Sequence, residues 1–342
     1  MKKYIFKRLA LAVLVLFGVV TISFFLARVV PGDPATMWVG ARAKAHQIEA
    51  AKKELGLDRP LIIQFASYMK KLAAGDLGTS IRTRRKVTEE IAARYAATFE
   101  LVTVSILISL IIGIPVGVLS AVRKDKPLDH VSRAVSISGI AMPIFWLGLI
   151  LQLILHGSLD LFPLQGRISS KILVQHPIAD LTGFYLLDSL LTGNWLAFSN
   201  SLQHIALPAI TMSFSTLALV TRMSRSSMLE VITEDYIQTA QAYGVSRRVI
   251  LYRYALKNAL IPTVTVVGLA YGLMLGGSVV VEAIFDWPGL GHFTVLSIAT
   301  QDYPATVGVT LIFAVTYVTI NLIVDLIYFV IDPRIKIPGG GK

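Results

Sequence analysis

The chain has no cysteine among its 342 residues, and only 15% of its residues are charged. The absence of cysteine excludes disulfides, thiolate metal sites and cysteine nucleophiles. Average soluble chains carry about 25% charged residues, so the shortage of charge points away from a soluble protein. Together with 54% hydrophobic residues and a mean hydropathy of +0.67, it indicates a membrane protein.

Motifs of catalysis and nucleotide binding are also missing from the sequence. It contains no HExxH zinc motif, no G-x-S-x-G nucleophile elbow and no GxxxxGK(S/T) phosphate loop. The six histidines are scattered along the chain, so no metal site is expected. We therefore expect a chain that is not an enzyme and binds no cofactor of its own. Any use of ATP would require a nucleotide site on another chain.

The net charge of +11 does not indicate a nucleic-acid partner, because the basic residues lie in loops beside apolar runs. Membrane orientation explains positive charge at such places. The apolar runs predict six transmembrane helices in contact with lipid: Leu9–Ala27, Leu101–Val122, Ala134–Leu155, Ile205–Thr221, Ala259–Val281 and Thr306–Ile331. The first run is longer than the apolar segment of a signal peptide, about 7–15 residues, so we expect it to be retained.

The distribution of lysine and arginine predicts that both termini are cytoplasmic. With the amino terminus inside, the segments that face the cytoplasm are rich in basic residues. The two later outside loops, 156–204 and 282–305, hold Arg167 and Lys171 alone. This asymmetry is the one that orients multi-span membrane proteins.

Two segments are predicted to lie outside the membrane on the far side. Residues 31–97 are polar and mixed in charge, and we expect a small subdomain there with helices over His46–Leu55 and Leu61–Ala74. Residues 156–204 are only partly apolar, and we expect a loop with interfacial helices there.

The stretch 233–262, between the fourth and fifth runs, is predicted to form two short helices. Thr233 is a suitable N-cap for the first helix, and Gly244 stands where a left-handed C′ residue would end it. Ser246 can cap the second helix, which continues into the next membrane segment. Several residues are small, which lets another surface approach the backbone closely: Thr239, Ala240, Ala242 and Gly244. The pattern alone is also typical of an ordinary cytoplasmic loop.

Polar or aromatic residues stand out at the ends of the last two apolar runs. Trp287, Pro288 and Gly289 predict a rigid turn with an aromatic ring at the membrane interface. Asn321 and Asp325 lie four apart and share one helical face. An intramembrane carboxylate is a candidate functional group, although a helix–helix contact is the interpretation we favour.

Five motifs occur in order and resemble those of permease subunits of dipeptide and oligopeptide importers of the binding-protein-dependent ABC class: PGDP at 31–34, GDLGTS at 75–80, the stretch 233–262, FDWPGLG at 285–291 and DPR at 332–334. Ala240, Gly244 and Leu256 match the coupling-loop pattern of that class at the right spacing. Four residues depart from the generic pattern as those of the peptide permeases do: Gln238, Thr239, Tyr254 and Lys257.

The resemblance implies an all-α membrane protein with six transmembrane helices, built as a type I ABC importer permease core with an N-terminal extracytoplasmic subdomain. Residues 1–97 would form the first transmembrane helix and the outer subdomain. Residues 98–331 would form the importer transmembrane domain, with its coupling loop at 233–258. Residues 332–342 would form a cytoplasmic tail.

The resemblance also implies candidate sites. The residues that would contact an ATPase are Asp235, Tyr236, Thr239, Ala240, Ala242, Gly244 and Val245. Those expected near a docked binding protein or the outer pore mouth are Glu282, Trp287, Pro288, Gly289 and Gly291. Asn321 and Asp325 are the intramembrane polar candidates, and no catalytic or metal-binding residue is implied.

In function, the resemblance implies one half of the translocation pathway of an ATP-driven importer for dipeptides or oligopeptides in the cytoplasmic (inner) membrane. The implied partners are a homologous second permease, two cytoplasmic ABC ATPases that hold ATP and Mg, and an extracytoplasmic substrate-binding protein. An importer of nickel or oligosaccharide is the alternative, since such permeases share these motifs. Substrate choice would lie largely in the binding protein.

Two other classes of protein fit the sequence less well. An intramembrane hydrolase needs paired catalytic residues at one depth inside the spans, and the sequence offers Asp325 alone. A channel or secondary transporter works without ATPase partners, so it has no need of a coupling loop.

The missing phosphate loop leads to the first prediction. The purified chain, free of ATPase subunits, should neither bind nor hydrolyse ATP, because it has no backbone cradle for the phosphates. Equilibrium dialysis with labelled ATP measures this directly. Stoichiometric binding by the isolated chain would contradict the prediction.

Overall fold

The computed structural model describes residues 2–29, 34–40 and 42–331, and the regular structure in these ranges is helical. Residues 31–33 of the PGDP motif lie outside the described residues. The same holds for the tail 332–342, which includes the DPR motif.

The helices, in chain order, are α1 (Lys2–Val29), α2 (Pro34–Val39), α3 (Ala45–Glu54), α4 (Leu61–Ala73), α5 (Val87–Val122), α6 (Pro127–Ala141), α7 (Ile144–Leu151), α8 (Ser170–Gln175), α9 (Tyr185–Leu191), α10 (Trp195–Ile232), α11 (Asp235–Ala242), α12 (Arg247–Val249), α13 (Leu256–Ile284), α14 (Leu290–Ala299) and α15 (Tyr303–Ile331). Wider π-helical turns follow α7 at Gln152–Ser158 and α12 at Ile250–Ala255.

Within the described residues, four helices are long and apolar enough to cross a membrane: Val87–Val122, Trp195–Ile232, Arg247–Ile284 and Tyr303–Val324. The bent pair α6–α7 brings the number up to 5 if it is one span. The first predicted span falls in α1, whose apolar part, Ala10–Leu26, is shorter than these four. Internal prolines such as Pro115 and Pro208 are tolerated because neighbouring helices can satisfy the freed backbone groups.

The third predicted span, Ala134–Leu155, is wrong as a single helix. The chain breaks between α6 and α7 and turns by 109°. Pro143 disfavours a helical backbone at the preceding residue, and Met142 is accordingly extended, with φ −83° and ψ 125°. The fourth predicted span was too short, since α10 runs from Trp195 to Ile232.

The structure consists of two compact units, and the first comprises the residues up to Ala96 together with Pro288–Thr316. The predicted outer helices are confirmed as α3 and α4, whereas α14 was not predicted. The core of this unit is apolar and contains Leu77, Val87, Ile91, Leu290, Phe293, Ala305 and Val309. Buried Asp302 accepts hydrogen bonds from the Ser80 hydroxyl and from the Arg82 backbone amide, which fixes the loop before α5.

The second unit comprises Ala97–Trp287 and the residues from Tyr317 onward. Its centre is α10, which packs against α6, α7, α8, α9, α11 and α13. The helix begins at the N-cap Asn194, whose side chain accepts a hydrogen bond from the Ala197 amide. Many of the side chains of α10 are buried, so it forms the core on which the other helices of this unit lie.

Two glycines on α5 allow it to approach α10 closely. An added Cβ at Gly117 would lie 2.6 Å from the Thr221 carbonyl oxygen and 2.8 Å from Ser224 Cβ. At Gly113 it would lie 2.9 Å from a Val220 methyl carbon. Small residues four apart are typical of helix contacts in membranes, where close backbone approach replaces the hydrophobic driving force.

This contact generates the second prediction. Gly117→Ala should lower stability by about 1–3 kcal/mol, because backbone atoms of α10 cannot yield to the new methyl group. The control is Gly276→Ala, since an added Cβ there meets nothing within 4 Å. Thermal unfolding of the purified protein in detergent measures both variants. Equal melting temperatures for the two would contradict the packing described here.

Candidate functional site

The predicted coupling segment forms a short helix directly after α10. Thr233, predicted as the N-cap of this helix, instead caps the C-terminus of α10. Its hydroxyl donates to the Glu230 carbonyl oxygen at 2.7 Å, within the last turn of α10. The N-cap of α11 is Glu234, and the helix begins at Asp235.

Gly244 ends α11 as the sequence predicted. Its φ of +73° is left-handed, which a residue without a Cβ adopts at little cost. Two hydrogen bonds close the turn, from the Val245 amide to the Ala240 carbonyl at 3.1 Å and from the Gly244 amide to the Gln241 carbonyl at 3.0 Å. This pair of bonds is the Schellman motif, and it fixes the angle at which the chain leaves α11.

The second predicted helix is also present and leads into α13. Ser246 is its N-cap residue, although its side chain makes no capping hydrogen bond. The π-helical turn Ile250–Ala255 between α12 and α13 was not predicted, since no residue pattern in the sequence marks such a turn. Turns of this kind are frequent at functional sites.

The inner side of α11 is anchored by Ile237, which is fully buried. It belongs to an apolar group, here called the inner apolar cluster, formed by Val118, Ala121, Met228, Ile237, Ile250, Ala255 and Ala259. Ala240 is half-buried against this cluster. The cluster draws its side chains from α5, α10, α11, the π-helical turn Ile250–Ala255 and α13, so α11 is attached to three long helices of the same unit.

The other side of α11 is exposed. The exposed candidates are Asp235, Tyr236, Thr239, Ala242 and Gly244, and Val245 is half-buried. The Tyr236 side chain is held in place because its hydroxyl accepts a hydrogen bond from Asn258 Nδ2 at 2.7 Å. The segment therefore presents a firmly supported surface of small and polar residues, which suits contact with another protein.

A second group of polar side chains lies at the start of the membrane part of α5 and is here called the outer polar cluster: Thr98, Glu100, Arg167, Glu282 and Trp287. The Trp287 indole N–H donates to the Ala97 carbonyl oxygen at 2.9 Å, and Thr98 Oγ1 donates to Glu282 Oε1 at 2.7 Å. Trp287 is 1% exposed, so its ring packs inside the protein, and its predicted depth at the membrane interface stays a prediction. The indole lies in the interior because its N–H has a partner there.

Arg167 and Glu100 form the ion pair of this cluster, and the sequence did not indicate it. Arg167 Nη2 lies 2.5 Å from Glu100 Oε2 and donates to the Gly183 carbonyl at 3.0 Å. The guanidinium also stacks on the Tyr185 ring, 3.8 Å from its centroid. These contacts join the loop before α10 to the outer end of α5.

The candidates for the outer docking surface are therefore mostly enclosed. Glu282, Trp287, Gly289 and Gly291 are buried, and Pro288 is exposed. In the conformation described, the side chains of Glu282 and Trp287 pack inside the protein. A docking role for the five candidates stays a prediction.

The remaining candidates lie on α15. Asn321 is half-buried, while the side chain of Asp325 lies outside the described residues. Among the side chains that the structure describes, no three metal-ligating groups are close enough to hold an ion.

Comparison with known sequences was made for the whole chain. The profile of the binding-protein-dependent transport system inner membrane component matches residues 113–337, and the profile of its N-terminal part matches residues 1–102. The chain is 48% identical to the probable D,D-dipeptide transport system permease protein DdpB of Escherichia coli, over 96% of both chains. It is 42% identical to the dipeptide transport system permease protein DppB of Haemophilus influenzae, over 98% of this chain and 100% of the relative. It is 36% identical to the glutathione transport system permease protein GsiC of Escherichia coli, over 98% of this chain and 99% of the relative.

The backbone of Gly244 generates the third prediction. Gly244→Val should loosen α11, because a β-branched residue is strained at positive φ, although there is open space around the position. Gly244→Asn is the matched control, since asparagine tolerates the left-handed region. Hydrogen exchange of the α11 amides should accelerate in the valine variant and stay near the parent rate in the asparagine variant. Equal protection in both variants would contradict this assignment.

Proposed function

The chain belongs to the family of binding-protein-dependent transport system inner membrane components, and on this premise we propose that it forms half of the translocation pathway of an importer for dipeptides or oligopeptides. The observation that carries the proposal is similarity over nearly the whole chain to permeases named for dipeptide transport. These names support a peptide substrate over nickel or an oligosaccharide.

As a member of this family the chain is a multi-pass inner membrane protein and a transport subunit rather than an enzyme. A permease of this kind works with ATPase subunits and a substrate-binding protein. The finer composition is part of the proposal: one homologous second permease, two ATPases that hold ATP and Mg, and both termini of this chain in the cytoplasm.

The exposed face of α11 supports the proposed contact with an ATPase. An interface for a moving partner needs a surface that projects from the bundle and transmits displacement without deforming. Ile237, buried in the inner apolar cluster, provides that attachment. When ATP draws the ATPases together, displacement of α11 would pass to α5, α10 and α13, and the helices would alternate between inward-open and outward-open arrangements.

Reconstituted uptake tests the function directly. Proteoliposomes that hold this chain, the second permease and the ATPases should accumulate labelled dipeptide when ATP is inside and loaded binding protein is outside. Nickel and an oligosaccharide serve as alternative cargo in the same assay. Uptake independent of ATP, or uptake of nickel or oligosaccharide in place of peptide, would contradict the proposal.

The exposed face generates the fourth prediction. Ala242→Glu should weaken retention of the ATPases about tenfold or more, because an unpaired charge would be buried in the docked interface. Glutamate is a good helix former, so α11 itself should stay folded. Co-purification of the ATPases measures retention, and dipeptide uptake should fall in parallel.

The control for this variant is Ala66→Glu, which adds the same charge at an exposed alanine of α4. Its retention of the ATPases should equal that of the parent. Ala240→Glu is a less selective probe, because Ala240 packs against the inner apolar cluster and the change would also disturb the chain itself. If the Ala242→Glu variant retained the ATPases fully, the proposed ATPase contact would be contradicted and the segment would be an ordinary loop.

A further inference from the structure

A buried ion pair joins α6 to α10 in the second unit. Asp129, in the first turn of α6, is fully buried, and the Arg225 side chain on α10 is 19% exposed. Arg225 Nε lies 2.5 Å from Asp129 Oδ1, and Arg225 Nη2 lies 2.8 Å from Oδ2. Two parallel charge-assisted bonds make this contact strong and fix its direction.

The carboxylate of Asp129 has further partners, among them the half-exposed Arg133, whose Nε lies 3.9 Å from Oδ2. Ser120 Oγ donates to Oδ1 at 2.5 Å, and the Asp125 backbone amide donates to Oδ2 at 3.0 Å. Ser132 Oγ lies 2.7 Å from Ser120 Oγ. The pair thus joins three helices, since Ser120 lies on α5, Asp129 on α6 and Arg225 on α10.

On the α10 side, the ion pair is mechanically close to α11. Arg225 and Met228 are three residues apart, so they lie on one face of the helix. Met228 is fully buried in the inner apolar cluster with Ile237 of α11. A displacement of α11 therefore reaches the part of α10 that carries Arg225.

On the α6 side, the helix is attached to α10 near both of its ends. At the far end, an added Cβ at Gly139 would lie 2.8 Å from Ala218 Cβ, so the helices are in close contact there. Between these points α6 exposes large apolar side chains, with Val131 61% and Ile137 69% exposed. Beyond Gly139 the chain bends sharply into α7.

We propose that the Asp129–Arg225 ion pair carries movement of α11 to α6 and the bend that follows it, and so couples ATP use to transport. The inference rests on the proposed function. Stability alone does not require this pair, because apolar residues of similar volume often replace a buried ion pair without loss. To the restraint that close apolar packing provides, a bidentate pair adds a directional one against sliding and rotation between the helices.

The test uses the full complex in proteoliposomes with its binding protein and a labelled dipeptide. The variant Asp129→Asn with Arg225→Gln removes both charges of the pair together. Arg133 loses its contact with Asp129 as well, but its side chain is 44% exposed and solvent screens its charge. ATP hydrolysis and peptide uptake are measured on the same vesicles, and the readout is the number of ATP molecules hydrolysed per peptide. We expect this ratio to rise about tenfold, a usual size for an allosteric coupling, while the ATPases stay bound.

The matched control is Glu90→Gln with Arg94→Gln, a pair of similar burial in the first unit, with side chains 2% and 28% exposed. Loss of stability alone would lower hydrolysis and uptake together in either variant and leave the ratio unchanged. An unchanged ratio in the Asp129 and Arg225 variant would overturn the proposal.

Arg225→Lys provides a second route if the double variant does not assemble. Lysine keeps the charge but cannot make the bidentate contact, so the ratio should rise by a smaller factor. A parent-like ratio in this variant would also contradict the proposal. Failure of the proposed function is recognised separately, because the parent complex would then show no ATP-driven peptide uptake.

Discussion

A charge enclosed in a helix bundle within a membrane must be paired, and this requirement governs both ends of α5. Toward one end of its apolar part Glu100 pairs with Arg167, and toward the other end Ser120 supports Asp129 in its pair with Arg225. The two points on α5 are about 30 Å apart at 1.5 Å per residue. This matches the roughly 30 Å hydrocarbon core of a bilayer. We therefore infer that the outer polar cluster and the Asp129–Arg225 ion pair lie at the two faces of the membrane.

Between those faces the unit is held by close packing around α10. Gly113 and Gly117 of α5 allow the approach of backbone to backbone that helices in lipid depend on. The inner apolar cluster then attaches α11 to the same helices through Ile237. The surface that we propose as the ATPase contact is thus joined to the membrane helices by packed side chains, which deform little.

Local features of the coupling segment could be predicted from the sequence, whereas long-range pairs could not. Gly244 was correctly assigned because only neighbouring residues determine a helix C-terminus. The burial of Trp287 was not predicted, because the hydrogen-bond partner of its indole, the Ala97 carbonyl, is distant in sequence. Asp129 and Arg225 were missed for the same reason. The break at Met142 was missed although Pro143 was noted, since several other spans contain proline without breaking.

This arrangement requires that the outer polar cluster and the Asp129–Arg225 ion pair of the second unit lie on opposite sides of the membrane. The chain has no cysteine, so single cysteines can be labelled without background. Lys124 lies in the exposed turn beside the Asp129–Arg225 ion pair, and Ala179 lies in the exposed loop that leads to the outer polar cluster. Each residue is replaced by cysteine in a separate variant, Lys124→Cys and Ala179→Cys. An impermeant thiol reagent should label Ala179→Cys in right-side-out vesicles and Lys124→Cys only in inside-out vesicles. Labelling of both residues from the same side would contradict the account.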